Sequence, residues 1–340
     1  MSGSIIRGWL KLQVRLGLPF YFRKLKVVGA DYVPASGPLL FAANHQNSFL
    51  DALMVTVTQR RDMHYLVRSD VFRKPLARRA LTLLHMLPVF RIRDGWNTLG
   101  NNGPTFERCV EIFRNGGAVL IFPEGNHSTF RRLRPLSRGF TKPIGLALDS
   151  DSSLPIMVVP VGLNFSNHTA FRAPASVHFG MPIPVQDHIR EGRLDANSLR
   201  EALAAAMKKL IVHIEDPDSC ERVESALRAS GADLTDPVSC NALIGKLQEE
   251  GLSPIIPAIQ RKGLTWPFRV LHYLPLAGWY RLQKTIRDPM FTGSLKSVYG
   301  IFVFPAYYAL IGIISWSIGG ALLLAMLMTI MLLSVVAYRN

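Results

Sequence analysis

Short apolar runs alternate with amphipathic stretches between about residues 26 and 183, a pattern typical of an α/β fold. The apolar runs predict strands at 38–43, 65–67, 118–122, 156–161 and 176–179, with helices around 105–114, 142–148 and 198–214. Ligands of open α/β sheets bind at the carboxyl ends of the strands. Polar residues that directly follow these runs are therefore the first candidates for a functional site.

The last part of the chain is strongly apolar. No Asp, Glu, Lys or Arg occurs from Ser297 to Tyr338, and one membrane-spanning helix needs about 20 apolar residues. Gly319-Gly320, after Ser315-Trp316-Ser317, predicts a break, so we expect a transmembrane hairpin rather than one very long buried helix. Lys296 before it and Arg339 after it predict that both ends and the catalytic domain face the cytoplasm, with a bacterial inner membrane as the expected location.

Residues 4–22 predict a basic amphipathic helix that Pro19 closes. Arg7, Lys11 and Arg15 recur every four residues on one face, and apolar residues cover much of the remainder. Such a helix lies in the membrane interface, with its cations near lipid phosphates. The alternative is an ordinary surface helix that packs on the domain.

The net charge of +15 is compatible with nucleic acid or with anionic lipid as a partner. The apolar tail favours anionic membrane phospholipid, and we expect no nucleic-acid binding. Three widely spaced cysteines, Cys109, Cys220 and Cys240, predict neither a disulfide framework nor a zinc site. No cleavable signal is predicted at the N-terminus.

The strongest chemical signal is the segment from Asn44 to Asp51, which follows the strand at 38–43. His45 is suited to remove a proton from an alcohol near neutral pH, and Asp51 would hold the other ring nitrogen. A His and an Asp at this spacing are by themselves more often structural than catalytic. Asn44, at the end of an apolar strand, strengthens the catalytic interpretation.

Two further segments carry cations or a carboxylate near predicted strand ends. In 87–93, Arg91 and Arg93 together with Arg68 could bind a phosphate, although a solvated charge cluster is the alternative. In 122–128, Pro123 ends a strand, Gly125 allows a close backbone approach, and Glu124 could bind a hydroxyl group or a cation. The arginines that follow are candidate phosphate ligands, or could instead contact lipid phosphates: Arg131, Arg132, Arg134 and Arg138. A fourth segment, Val159-Pro160-Val161, predicts a buried strand with a proline at its turn, which would shape a pocket wall.

Several catalytic motifs are missing from the sequence. It has no Gly-x-Ser-x-Gly elbow, no His-Glu-x-x-His, no phosphate loop and no dinucleotide fingerprint. Direct attack of a substrate hydroxyl on a thioester carbonyl is therefore favoured over a serine acyl-enzyme. Backbone amides near His45 or Glu124 are candidate donors to the oxyanion.

The four segments, in this order over about residues 26–185, resemble the glycerophospholipid acyltransferase superfamily, and in particular the 1-acylglycerol-3-phosphate acyltransferases. The resemblance implies a glycerol-3-phosphate acyltransferase-like αβ domain, with His45 as the base and Asp51 as its partner. It also implies that Arg93, Glu124 and Gly125 lie in the acceptor site, and that the co-substrate is acyl-CoA or acyl-carrier protein, with no cofactor and no metal. Asn44, Arg131, Arg132 and Arg134 complete the candidate substrate-binding residues.

The sequence departs from the family pattern at two points. Five residues separate His45 from Asp51 where the family usually has four, a spacing that resembles fungal glycerol-3-phosphate acyltransferases. The pair must then lie on irregular backbone. Asn126-His127 also stands where Thr-Arg is common, so the role of that arginine would pass to a later one.

These observations predict four regions: an interfacial helix at 1–25, an acyltransferase domain at 26–215, a helical and interfacial extension at 216–296, and the transmembrane hairpin at 297–340. The predicted reaction is acyl transfer to 1-acyl-glycerol-3-phosphate, which gives phosphatidic acid. Glycerol 3-phosphate or another lysophospholipid is the alternative acceptor. A membrane lipid-binding protein is the alternative outside enzymes.

Overall fold

The computed structural model describes residues 2–91, 95–250, 265–286 and 291–338. Its strands are β1 (Leu25–Val28), β2 (Leu39–Ala43), β3 (Met63–Arg68), β4 (Met86–Val89), β5 (Ala118–Ile121), β6 (Met157–Phe165), β7 (Ala175–Phe179), β8 (Ile183–Pro184), β9 (Ile189–Arg190) and β10 (Arg193–Leu194). Its α-helices are α1 (Ser2–Tyr21), α2 (Ser48–Thr58), α3 (Pro75–Leu83), α4 (Gly103–Arg114), α5 (Lys142–Ser150), α6 (Ala196–Leu210), α7 (Cys220–Ala229), α8 (Pro237–Glu250), α9 (Trp266–Leu271), α10 (Tyr273–Gln283) and α11 (Thr292–Ala337).

The predicted α/β fold is present as an eight-stranded, mostly parallel sheet. The strand order is β1-β7-β6-β2-β5-β3-β4, and β8 pairs with β6. Strands β6, β2, β5, β3 and β4 run parallel to their neighbours in that order, whereas β7 and β8 are antiparallel to β6. The carboxyl ends of β2, β5, β3 and β4 therefore lie at one edge of the sheet, which is where parallel sheets bind ligands.

Helices cover both faces of this sheet. Successive side chains of a strand point to opposite faces of the sheet. All five residues of β2 are buried, so both faces are covered at this strand. Leu40 and Ala42 pack with residues of α4, α5 and α6, while Leu39, Phe41 and Ala43 pack with residues of α1 and α2. The core therefore has two apolar layers, one on each side of the strands.

The predicted strands are present, but two edge strands were missed. Both strands have four residues: β1 contains a lysine and three of its residues are exposed, whereas β4 is apolar but contains Pro88. Pro160 was predicted at a turn and instead lies inside β6. It is tolerated there because the antiparallel partner of β6 changes from β8 at Val158 to β7 at Val161, and Pro160 O accepts a hydrogen bond from Gly180 N.

Helix α1 packs on the domain with one side and leaves an apolar stripe open. Its buried side includes Leu18 and Tyr21, and it contains Pro19 rather than ending there. The predicted cationic face turns towards the protein, since Arg7 donates to Leu83 O at 3.2 Å and Lys11 to Arg61 O at 3.4 Å. The exposed stripe, which recurs at helical spacing, consists of Ile5, Trp9, Leu12, Leu16 and Phe20. The helix thus packs on the domain, as the second alternative expects, and a role in the membrane interface stays a prediction.

The C-terminal region is one long apolar helical segment, α11, rather than two separate helices joined by a turn. Among the described residues it is the one helix long and apolar enough to cross a membrane. Its backbone leaves helical geometry only at Gly320 (φ 65°, ψ −155°), where two helical arms meet. Glycine alone adopts this conformation readily, so a single residue makes the kink and no turn residues leave the helix.

The two arms of α11 contact each other. A Cβ at Gly312 would lie 3.5 Å from Leu324 Cδ1 and 3.9 Å from Met328 Cε. Residues 12 apart on a straight helix would be separated by about 18 Å. Arg339, used in the orientation argument, lies outside the described residues.

Candidate active site

The site centres on the His45–Asp51 pair, at the carboxyl end of β2. His45 Nδ1 lies 2.8 Å from Asp51 Oδ2, and the Asp51 side chain is fully buried. The His45 side chain is 17% exposed and its ring stacks on Phe122, with centroids 4.0 Å apart. A carboxylate on Nδ1 favours the tautomer with the proton on that nitrogen. Nε2 is then the ring atom available to accept a proton.

Irregular backbone brings the pair together in spite of the additional residue between them. Asn47 has φ −136° and ψ 41°, and Ser48 has φ 46°, in the left-handed region that non-glycine residues seldom adopt. Asp51 lies in the first turn of α2, and its Oδ2 also accepts hydrogen bonds from Gln46 N at 2.9 Å and Asn47 N at 2.7 Å. One carboxylate oxygen therefore orients the imidazole and fixes the loop that carries it.

Glu124 lies beside this loop, but its carboxylate is engaged within the protein. Oε1 accepts from His45 N at 3.2 Å, and Oε2 accepts from Arg134 Nε at 2.6 Å. Burial raises the pKa of Glu124, and Arg134 opposes that shift. Arg134 also donates to Asn126 O. Glu124 and Arg134 thus link the two loops; the Glu124 side chain is 3% exposed and the Arg134 side chain 23%.

Gly125 is placed for a close approach to its backbone. It has φ 70°, its N–H donates to Phe122 O at 3.0 Å, and no atom would lie within 4 Å of a Cβ added there. Next to this turn, His127 contacts the His45 ring edge-on at 5.6 Å and the Phe291 ring at 5.3 Å. The role of Gly125 in binding the acceptor stays a prediction.

Asn44 is oriented away from any substrate. Its side chain is buried, with Nδ2 donating to Leu163 O at 3.0 Å and Oδ1 accepting from Leu163 N at 2.7 Å. These bonds extend the pairing of β2 with β6 by one position, through a side chain instead of the backbone. Asn44 therefore positions the loop, and the expectation of a direct substrate contact does not fit its position.

The arginine run does not form one anion site. Arg131 is 1% exposed, donates to Phe165 O at 2.7 Å and pairs with Glu224 at 3.2 Å, so it lies in the core. Arg132 lies beside the segment that follows α6, since the next residue, Leu133, donates from its N–H to His213 Nδ1 at 3.0 Å. The sequence could not tell which of these arginines is buried, because a run of basic residues in a loop does not encode which side chain turns towards the core.

The end of β4 carries the remaining predicted cations. Arg93 lies outside the described residues. Asn102 holds Phe90 by two hydrogen bonds of 2.8 Å, to its N–H and its carbonyl, and so fixes the backbone just before Arg91. The sequence did not point to Asn102 as part of this region, because it lies outside the segment 87–93.

A cleft of about 540 Å³ opens at the carboxyl ends of β3 and β4. Arg73 and Arg78 line it together with Asp70 and Phe90. The pKa of Asp70 is lowered, mainly by the hydrogen bond that Arg68 donates to its carboxylate. This cleft opens at the same edge of the sheet as His45. Its arginines and Phe90 therefore lie at the edge that also carries the His–Asp pair.

Comparison with known proteins agrees with this geometry. Residues 24–164 match the model of the acyltransferase family. The 1-acyl-sn-glycerol-3-phosphate acyltransferase BAT2, chloroplastic, of Brassica napus is 26% identical over 136 residues, which are 40% of this chain and 36% of that protein. Glycerol-3-phosphate O-acyltransferase 2 of Saccharomyces cerevisiae is 30% identical over 110 residues, 32% of this chain and 14% of that protein.

Among solved structures, the 1-acyl-sn-glycerophosphate acyltransferase PlsC of Thermotoga maritima shows a partial likeness. The TM-score is 0.44 at 13% sequence identity, over 61% of this chain and 80% of that one. The chain spans about a third of the length of the first curated relatives it matches.

The fold and the site together define a class of protein: an α/β domain with a His–Asp pair at the end of a strand. Residues 24–164 belong to the acyltransferase family, and the chain is distantly homologous to lysophosphatidate and glycerol-3-phosphate acyltransferases.

Proposed function

We propose that this protein transfers a fatty acyl group from a thioester to the free hydroxyl of 1-acyl-glycerol-3-phosphate and so forms phosphatidic acid. The observation that carries the proposal is the His45 Nδ1–Asp51 Oδ2 contact of 2.8 Å at the carboxyl end of β2. The match of residues 24–164 to the acyltransferase family supports the reaction type. The donor is acyl-CoA or acyl-carrier protein, and no cofactor is needed.

In the proposed mechanism, His45 acts as a general base. Nε2 takes the proton of the acceptor hydroxyl while its oxygen attacks the thioester carbonyl. The new C–O bond forms, the C–S bond breaks, and the proton passes from the imidazolium to the leaving thiolate. Asp51 stabilises the imidazolium through Nδ1, as carboxylates do in His–Asp pairs.

The cleft beside β3 and β4 is the proposed binding site for the phosphate end of the acceptor. Its volume of about 540 Å³ is within the range of small-molecule sites. Arg73 and Arg78 supply positive charge there, and guanidinium groups suit phosphate oxygens. This assignment replaces Arg131, whose charge is used in the core.

Glycerol 3-phosphate is the second candidate acceptor. The five-residue spacing between His45 and Asp51 favours it, since the resemblance links that spacing to fungal glycerol-3-phosphate acyltransferases. The similarity to a yeast protein named as a glycerol-3-phosphate O-acyltransferase supports the same alternative. Other lysophospholipids come next.

Membrane association follows from the long apolar helix α11. We propose that this helix, kinked at Gly320, holds the protein in the bilayer. The exposed apolar stripe of α1 would lie in the interface among anionic phospholipids, with the catalytic domain on the cytoplasmic side. The relatives come from plants and yeasts, so no particular organism or membrane is proposed.

The proposed division of the chain remains 1–25, 26–215, 216–296 and 297–340. Helices α7 and α8 form an apolar cluster of their own, which also takes in Val212 and Ile214 from the end of the second region.

The test is acyl transfer by the full chain in detergent, with a labelled donor and three acceptors in parallel: lysophosphatidate, glycerol 3-phosphate and lysophosphatidylcholine. His45→Ala is the blank. We expect product with lysophosphatidate and none from the blank. Product with glycerol 3-phosphate alone would establish the second candidate. Failure with every acceptor and both thioester donors would favour a lipid-binding protein, and turnover by His45→Ala would refute the His–Asp mechanism.

A further inference from the structure

The start of the apolar helix α11 is built into the loop that carries the proposed catalytic pair. Ser294 lies in the first turn of α11, 244 residues along the chain from Leu50, and its side chain is 2% exposed. Its Oγ accepts a hydrogen bond from Leu50 N at 3.1 Å and donates one to Asn47 O. One hydroxyl from a distant helix therefore joins the two sides of the irregular turn before Asp51.

This turn has a backbone hydrogen bond of its own, from Leu50 N to Asn47 O at 3.0 Å, but no side-chain cap. Helix N-termini leave backbone N–H groups without intrahelical acceptors, and a side chain at the N-cap usually supplies one. In α2 the N-cap residue Asn47 makes no side-chain capping bond, since its amide donates to His168 O at 2.6 Å instead. Ser48, the next residue, has strained backbone with φ 46°. Ser294 Oγ adds the side-chain contact that a local cap would otherwise make, and it accepts from the same Leu50 N–H that also donates to Asn47 O.

The contact is close as well as polar. A methyl group at Gly293 would lie 2.5 Å from Asn47 Oδ1 and would also overlap His168 O, so only glycine allows α11 to approach this loop. Tyr21 at the end of α1 donates to Gly293 O at 3.3 Å. The ends of α1, α2 and α11 therefore meet within one turn of Asp51.

We propose that Ser294 is a positioning residue for acyl transfer, through which the membrane helix α11 holds Asp51 in register with His45. The expected loss of acyl-transfer rate rests on the proposed function. The expected loosening of the turn before Asp51 does not. The hydroxyl bridges Leu50 N and Asn47 O, which are also hydrogen-bonded to each other, and so reinforces the turn. The N–H of Asn47 in turn binds the same Asp51 oxygen as His45 does. A loosened turn would misorient the imidazole without removing any group that touches substrate. Misplacement by about 1 Å can cost up to about 100-fold in rate.

The matched control is Ser297, one turn further along α11. It is fully buried, and its Oγ donates only within its own helix, to Ser294 O at 2.8 Å. Ser294→Ala and Ser297→Ala remove the same atom from equally buried positions of one helix. Only the first removes a bond to the catalytic loop.

The kinetic test is a double-mutant cycle on the full chain in detergent. We expect Ser294→Ala to lower kcat by about tenfold with KM changed less than twofold, and Ser297→Ala to change either by less than twofold. In an Asp51→Ala background, Ser294→Ala should have less than a twofold further effect, because its contribution passes through Asp51. An equal loss of kcat in both backgrounds, or equal losses for the two serine variants, would overturn the proposal.

A second measurement does not depend on activity. Hydrogen exchange followed by mass spectrometry should show faster exchange of peptides covering 46–52 in Ser294→Ala, but not in Ser297→Ala. Unchanged exchange in Ser294→Ala would overturn the proposal even if its activity fell. Faster exchange in a protein that acylates no acceptor would leave the coupling in place and would refute the proposed function alone.

Discussion

Replacing Asp51 by asparagine isolates the charge of the proposed pair. The three donors to Asp51, His45 Nδ1, Gln46 N and Asn47 N, all converge on Oδ2. Among the described residues, none hydrogen-bonds Oδ1. The amide oxygen of an introduced asparagine can therefore take the place of Oδ2 and keep all three contacts, while its NH₂ takes the place of the unpaired Oδ1.

The expected loss of rate follows from the lost attraction to the imidazolium. With about 4 Å between the charge centres and an effective dielectric constant of about 20, a carboxylate and an imidazolium attract by about 4 kcal/mol. At about 1.4 kcal/mol for each tenfold step, Asp51→Asn should lower kcat by about 1,000-fold. Stability should change little, because one unpaired buried atom replaces another. Asp51→Ala should instead destabilise the fold, since it leaves three buried donors without their acceptor.

The assay is release of free thiol from acyl-CoA at saturating acceptor, together with thermal unfolding of each variant in detergent. Asp151→Asn is the control, since it makes the same change at an exposed position distant from the motif in sequence. A kcat of Asp51→Asn within tenfold of the unmodified protein, with an unchanged unfolding temperature, would refute the argument that Asp51 stabilises a charged His45.

Three further predictions concern stability and membrane binding. Arg131→Met should lower the free energy of unfolding by about 1–3 kcal/mol without raising KM for the acceptor, since it leaves the buried Phe165 O without its donor and leaves Glu224 paired with Arg228 alone. Denaturant titration and kinetics check this, and a raised KM with unchanged stability would restore a phosphate-binding role. Burial, more than the nearby cations, lowers the pKa of His168 from 6.5 to about 3, so the unfolded chain binds a proton that the folded protein does not. Stability should fall between about pH 6.5 and 3 by up to about 1.4 kcal/mol per pH unit, and His168→Asn should flatten that slope in pH-dependent unfolding. Deleting 297–340 should abolish retention on salt-washed membranes. It should also lower activity in detergent, because Ser294 stays in the chain but loses most of the helix that holds it against the loop before α2; full activity in detergent would show that the helix is an anchor only.

Several features could be predicted because they depend on local pattern. Runs of apolar residues predicted β2, β3, β5, β6 and β7, and the motifs follow the strands at which they were expected. The additional residue between His45 and Asp51 predicted irregular backbone, and the left-handed conformation of Ser48 provides it. A stretch without charges predicted the long apolar helix, and Gly320 is the residue at which its geometry changes.

Other features depend on which residues meet across the fold. The arginines of the run look alike in sequence, yet Arg131 is buried against Glu224 while Arg134 holds Glu124. Asn44 was expected to contact substrate, but its amide completes a strand pairing with Leu163, 119 residues away. Burial and pairing are set by neighbours that are distant in the chain, so no local pattern encodes them.

The sequence by itself determined the class of fold, the pair of residues at the centre of the site and the apolar C-terminal helix, because periodicity, turn residues and a run without charges act locally. Only the tertiary structure decided which polar side chains remain open to substrate and which hold the loops together. It also brought Ser294 to the turn before Asp51, a contact between segments whose spacing in the chain carries no signal. Hydrogen bonds of that kind form where helices pack, and their partners are fixed by the fold as a whole.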